Sequence, residues 1–142
     1  MFIDALLKVS SAQAMGAGAV STNSIDLALL TPGRQVGTGE ALGFGINVDV
    51  AATVAATDFE IISATDAALT AGILSHVKVT IPLATLVAGY QLFLPLPQGT
   101  PTQRYMGIRT TTAGGTITIS AWLSTHSMFS LAQRYYAKNY VV

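Results

Sequence analysis

"RYMGIRTTTAGGTITISAWLS", residues 104–124, reads as two strands around a tight turn. Met106 and Ile108 share one side of the first strand. Ile117, Ile119, Ala121 and Leu123 share one side of the second, the two-residue alternation of a half-buried strand. Gly114-Gly115 supplies the positive φ angles of a primed turn, so the stretch is expected to form a β-hairpin. The other side of the second strand is Thr116, Thr118, Ser120 and Trp122, with no charge. Such a face is compatible with water and cheap to dry, provided its hydroxyls find partners.

The same alternation recurs upstream. "IDLALL" (25–30) puts Ile25, Leu27 and Leu29 on one side and runs into the turn "TPGR" (31–34). Ile46, Val48 and Val50 alternate with Asn47 and Asp49. Phe59 and Ile61 oppose Asp58 and Glu60. Val77, Val79 and Ile81 mark "HVKVTI", and Tyr90, Leu92 and Leu94 mark a strand closed by Pro95 and Pro97. "TDAALTAGILS" (65–75) has room for a single helical turn. Six or seven short strands without a long helix predict an all-β chain, an antiparallel β-sandwich or jelly roll.

The chain has 142 residues, the size of one domain, without an internal linker. The ends differ from the middle: about 1–20 is an irregular segment expected as an N-terminal arm, and about 126–142 is an aromatic-rich C-terminal tail. That tail gathers Phe129, Tyr135, Tyr136 and Tyr140, with Arg134 among them. Tyr and Arg bury area while keeping a polar tip, the chemistry of partner-protein contact.

Ionic groups are scarce. Charged residues make up 10% of the chain against about 25% in an average soluble domain. A domain of this mass exposes roughly 7,000 Å², so seven bases and seven acids leave about one charge per 500 Å². That surface is weakly protected against association. The bases are scattered and the formal net charge is zero, which argues against a nucleic-acid-binding face. Cysteine is absent, so no disulfide or thiolate site forms. Asp4 stands where a secretory leader would be basic, so no leader is expected. The longest stretch free of Lys, Arg, Asp and Glu, 79–103, contains Pro82, Pro95, Pro97 and Pro101 and is not a membrane span.

Catalytic patterns fail one by one. "GTGEALGFG" (37–45) begins like a dinucleotide fingerprint, but its third glycine would fall at Leu42, and no βαβ unit surrounds it. His76 and His126 are far apart, and neither has a second ligand at metal spacing. Asp58 and Glu60 would sit about 7 Å apart on one strand face, which reads better as a solvated face than as a paired-carboxylate site. Arg104 and Arg109 are expected either to pair with an acid such as Asp49 or Glu60 or to anchor a partner across an interface. No enzymatic activity, cofactor, metal or small-molecule substrate is expected. A jelly-roll carbohydrate- or receptor-binding module is the alternative, with Trp122 and Tyr105 as its platform.

Three segments carry a resemblance: "STNSIDLALL" (21–30), "GEALGFGINVDV" (39–50) and "FLPLPQGTPTQRYMGIR" (93–109). With the start Asp4 to Ala14, "DALLKVSSAQA", they resemble the capsid cement (decoration) proteins of tailed phages, of the Bordetella phage type. The likeness runs to about Ser124, and the tail beyond departs from the family pattern. The resemblance implies a β-sandwich of jelly-roll type and no enzymatic activity. It implies self-association as a dimer or trimer, and a place on the outer capsid surface of the virion after synthesis in the host cytoplasm. The implied partner is the phage major capsid protein, whose neighbouring subunits such proteins clamp.

Overall fold

A computed structural model describes residues 5–27, 41–97 and 102–130. Among them the chain forms β1 (Lys8–Met15), β2 (Ala19–Val20), β3 (Ile25–Asp26), β4 (Leu42–Val50), β5 (Thr57–Ala64), β6 (Leu74–Ile81), β7 (Gln91–Pro95), β8 (Tyr105–Thr112) and β9 (Ile117–Thr125). Residues 126–130 are helical. The strands build two antiparallel sheets, one in the order β1-β9-β4-β7 and the other β2-β8-β5-β6, with β3 also on β8.

β2 and β3 lie end to end along β8 and act as one interrupted strand. Counted so, the first strand pairs the last, the second the seventh, the third the sixth and the fourth the fifth. A long two-stranded ribbon folded over on itself gives this order, and it is the jelly roll. The described part is therefore an all-β jelly-roll sandwich.

The expected 104–124 hairpin does not form. β8 hydrogen-bonds to β2, β3 and β5, whereas β9 hydrogen-bonds to β1 and β4. Residues 113–116 carry the chain from one sheet to the other. Gly115 does take a positive φ, 71°. The Thr112 hydroxyl holds the corner, accepting from the Gly114 N–H at 3.1 Å and donating to the Gly114 carbonyl. Among the described residues the only consecutive pair of full strands that forms a ladder is β5 and β6.

The core lies between the sheets. Phe44, Ile46 and Val48 of β4 and Ile117, Ile119 and Ala121 of β9 face Phe59 and Ile61 of β5 and Met106 and Ile108 of β8; all are buried. These residues belong to the alternating sets read from the sequence; Val50, expected on the side of Ile46 and Val48, is instead exposed beyond a register shift at Val48/Val50, and Leu29 lies outside the described residues. The segment expected as an arm contributes too. Val9 and Met15 of β1 are buried, and β1 forms the edge of its sheet beside β9. Gln13 ties this edge to the other sheet: its Nε2 donates to the Val20 carbonyl at 2.8 Å, and its Oε1 accepts from the Thr22 N–H at 2.9 Å.

The 65–75 stretch forms no helix. The Asp66 carboxylate accepts from the Thr70 and Ala71 N–H groups, closing a tight loop in which Leu69 has φ 58°. These contacts hold the carboxyl below its ordinary value, the Ala71 N–H contributing most.

Register places four connections at one end of the sandwich. Met15 pairs Ile117, Ala19 pairs Thr110, Val50 pairs Thr118, and Thr57 pairs both Thr112 and Ile81. Residues 16–18, 51–56, 82–90 and 113–116 therefore emerge together. The Ala52 N–H donates to the Leu86 carbonyl, and the Thr110 hydroxyl donates to the Gly16 carbonyl.

Candidate partner-binding surfaces

The outer face of the β4 sheet carries an aromatic cluster built on glycine. Phe44, Ile46 and Val48 point inward, so Gly43, Gly45, Asn47 and Asp49 face out. Gly45 lies between Trp122 of β9 and Phe93 of β7, its cross-strand neighbours. The missing side chain leaves a hollow, and Phe129 from the helical segment fills it. Its ring centroid is 6.3 Å from that of Trp122 and 5.4 Å from that of Phe93. His126 stands edge-on to Phe93 at 5.4 Å. The Trp122 indole Nε1–H is buried here without a hydrogen-bond partner. Further along the same face, the Asp49 carboxylate accepts from the Asn47 amide and the Ser120 hydroxyl.

Phe129, expected at a partner contact, is thus 4% exposed and packed on its own sheet. Arg134, Tyr135, Tyr136 and Tyr140, expected beside it, lie outside the described residues.

The outer face of the β5 sheet is ionic but internally matched. Arg109 Nε donates to Glu60 Oε2 at 2.7 Å, and Lys78 Nζ lies 2.8 Å from Asp58 Oδ2. Burial pushes the Glu60 carboxyl up, but Arg109 and the Ser75 hydroxyl together outweigh it, and the group ends below its ordinary value. Asp58 is lowered by Lys78 and Thr80, and Lys78 is raised by Asp58. Arg104 makes a bidentate pair with Asp26, at 3.0 and 2.9 Å, and its guanidinium sits 5.0 Å from the Tyr105 ring centroid. Asp26 raises its pKa. Arg109 takes Glu60, one of the two partners expected for the arginines. Arg104 takes Asp26, because β3 and the start of β8 are neighbours in the sheet. Asp58 and Glu60 are each held by a cation, which leaves no free carboxylate pair.

Below this ladder the same face is apolar. The 65–73 loop lays Leu69 over Gly107, with Ile62, Ala64, Val20 and Tyr105 around it. The sequence hides this contact, since a leucine in an alanine-rich loop gives no sign of where it lands. Tyr105 and Trp122 lie on different sheets, so the two do not form one platform.

The histidines are not brought together. Ser63 Oγ accepts the Gln103 N–H at 2.9 Å and lies 2.7 Å from His76 Nε2, with burial lowering the His76 pKa. Ser63 is fully buried, so the pair ties the approach to β8 to β5 and β6. Among the described residues no three His, Asp or Glu side chains are grouped to hold a metal, and no helix is long and apolar enough to cross a membrane.

None of the curated proteins matches this chain. The family model Bbp16 matches residues 9–125, from β1 to the last residue of β9 and thus every described strand. The match stops where the helical segment begins. With the jelly roll covered from its first strand to its last, the chain belongs to the Bbp16 family of phage proteins.

Proposed function

We propose that the protein is a structural capsid cement protein. It binds the outside of the phage shell, clamps neighbouring major capsid subunits, associates with itself, and catalyses nothing. The observation that carries this role is family membership across the whole jelly roll, from β1 to β9. The surface chemistry agrees with it. The charges on the β5 sheet are paired within the chain, and the β9 outer face offers Thr118 and Ser120 rather than ions. Drying such a surface costs less than drying free charges. Each copy then needs only a modest contact, because many copies on one shell multiply it. Binding the assembled shell and not its loose subunits stabilises the shell by mass action.

Pelleting tests the role. Purified protein mixed with expanded shells stripped of it should co-sediment to a saturating level and raise the temperature at which the shells burst. It should not bind dissociated shell subunits. Full recovery in the supernatant would refute the role.

A further inference from the structure

His76 breaks the alternation of its own strand. The β5–β6 register jumps from Ile61–Val77 to Ile62–Ser75, so His76 is the extra residue of a bulge. Unbroken alternation would set position 76 beside Lys78 on the outer face. The bulge re-aims the ring, and His76 Nε2 lies 2.7 Å from Ser63 Oγ. Ser63 is in phase with Phe59 and Ile61 of the core, and it is fully buried. The same Oγ accepts the Gln103 N–H at 2.9 Å. One hydroxyl thus joins β6, an edge strand, to the 102–104 stretch that leads into β8.

Counting protons gives the state of the ring. A serine hydroxyl has one proton to donate. Gln103 donates to Ser63 Oγ, so among the described residues the Ser63 proton has His76 Nε2 as its acceptor. The imidazole is then neutral, with its own proton on Nδ1. A second proton on the ring reverses this: Nε2 becomes a donor, the buried Ser63 proton loses its acceptor, and a charge enters a half-buried place. No carboxylate compensates. Asp58 and Glu60 of β5 lie on the outer face with Lys78 of β6 and Arg109 of β8. Tyr105 of β8 packs in the outer Leu69 cluster, and Arg104 holds Asp26. The Asp66 carboxylate is bound by N–H groups of its own loop. In the other sheet, Asp49 is tied to Asn47 and Ser120 on the outer face, Lys8 is on the far edge strand β1, and His126 stands against Phe93. β7, which closes that sheet on the same side as β6, has no charged residue.

We infer that the His76–Ser63 contact is an acid-released latch: the neutral ring keeps the 102–104 stretch fastened to β5 and β6, and protonation of the ring frees it. The latch is independent of the cement role. Burial lowers the His76 pKa, so the folded value lies below the unfolded value of about 6.5. The latch is therefore complete above that value and is lost as pH falls towards and through the folded one. The Arg109–Glu60 pair fails only at lower pH, below about 4.3, so the two effects separate.

The test is amide hydrogen exchange of the full chain by NMR, from about pH 7.5 to about pH 5.5, on either side of the ordinary histidine value. The Gln103 N–H is read against the Val48 N–H, which donates to the Tyr90 carbonyl in the other sheet. Protection of Gln103 relative to Val48 should fall about tenfold over that range. In His76→Gln, whose side chain does not titrate, the ratio should stay flat. Should that variant not fold, the imidazole nitrogen shifts of wild-type His76 decide, with Nδ1 protonated and Nε2 bare at about pH 7.5. A flat ratio in wild type, a fall that survives in His76→Gln, or a neutral ring carrying its proton on Nε2 would overturn the inference.

Discussion

Phe129 seats on Gly45 as a knob in a socket. A Cβ at position 45 would lie 2.8 Å from the Phe129 ring and 2.9 Å from the Trp122 ring. The opposite sheet repeats the device, with Leu69 over Gly107, where a Cβ would overlap the leucine and the Ser21 hydroxyl. Both knobs arrive from the end of the sandwich away from 113–116. They close the outer faces there.

Gly45→Ala is expected to lift Phe129 from its seat. Overpacking of this kind costs about 1–3 kcal/mol, to be seen as a melting midpoint lowered by several degrees. An unchanged midpoint would mean that the helical segment is not fixed on β4.

Gly107→Ala should destabilise by a similar amount, because Leu69 must move and Ser21 Oγ loses its place as acceptor for the Ile108 N–H at 3.2 Å. Trimming Leu69 to Ala in the same chain should recover part of the loss. A double-mutant cycle by urea unfolding reads the coupling, and strict additivity would show that the two residues do not touch.

Acid should weaken the Arg109–Glu60 pair. The folded Glu60 carboxyl titrates below its unfolded value of about 4.3. Its contribution is therefore complete above that value and is lost as pH falls through the folded pKa. Glu60→Gln should be less stable than wild type by about 1–3 kcal/mol near neutral pH. The gap should shrink below about pH 4. A gap independent of pH would point to packing instead of charge.

Two truncations separate fold from tail. Removing 126–142 takes Phe129 from Trp122 and should cost about 3 kcal/mol of stability. Removing 131–142 keeps Phe129, so the melting midpoint should hold while self-association or shell binding falls. Binding unaffected by the shorter truncation would remove Arg134, Tyr135, Tyr136 and Tyr140 from the interface.

Strands whose side chains alternate without interruption were legible in the sequence. Ile46 and Val48, Phe59 and Ile61, and Ile117 and Ile119 face inward as their spacing requires. β1 was not legible, because it is irregular: its register shifts at Lys8/Ser10 and Ser10/Gln13, and Ala12 takes φ 45°. Each break resets the alternation that marks a strand. The hairpin was misread for a different reason. Gly-Gly between two alternating runs announces a sharp corner, but whether the second run returns along the first or crosses to another sheet is decided by distant partners, here Gln13 and Asn47. The arginine pairing was half legible: Glu60 was within view for Arg109, whereas Asp26 meets Arg104 only through β3.

Cryo-microscopy of the virion tests the central claim most directly. The account predicts a jelly-roll density for this chain on the outer surface of the shell, bridging neighbouring subunits. A virion whose shell carries no such density would contradict it.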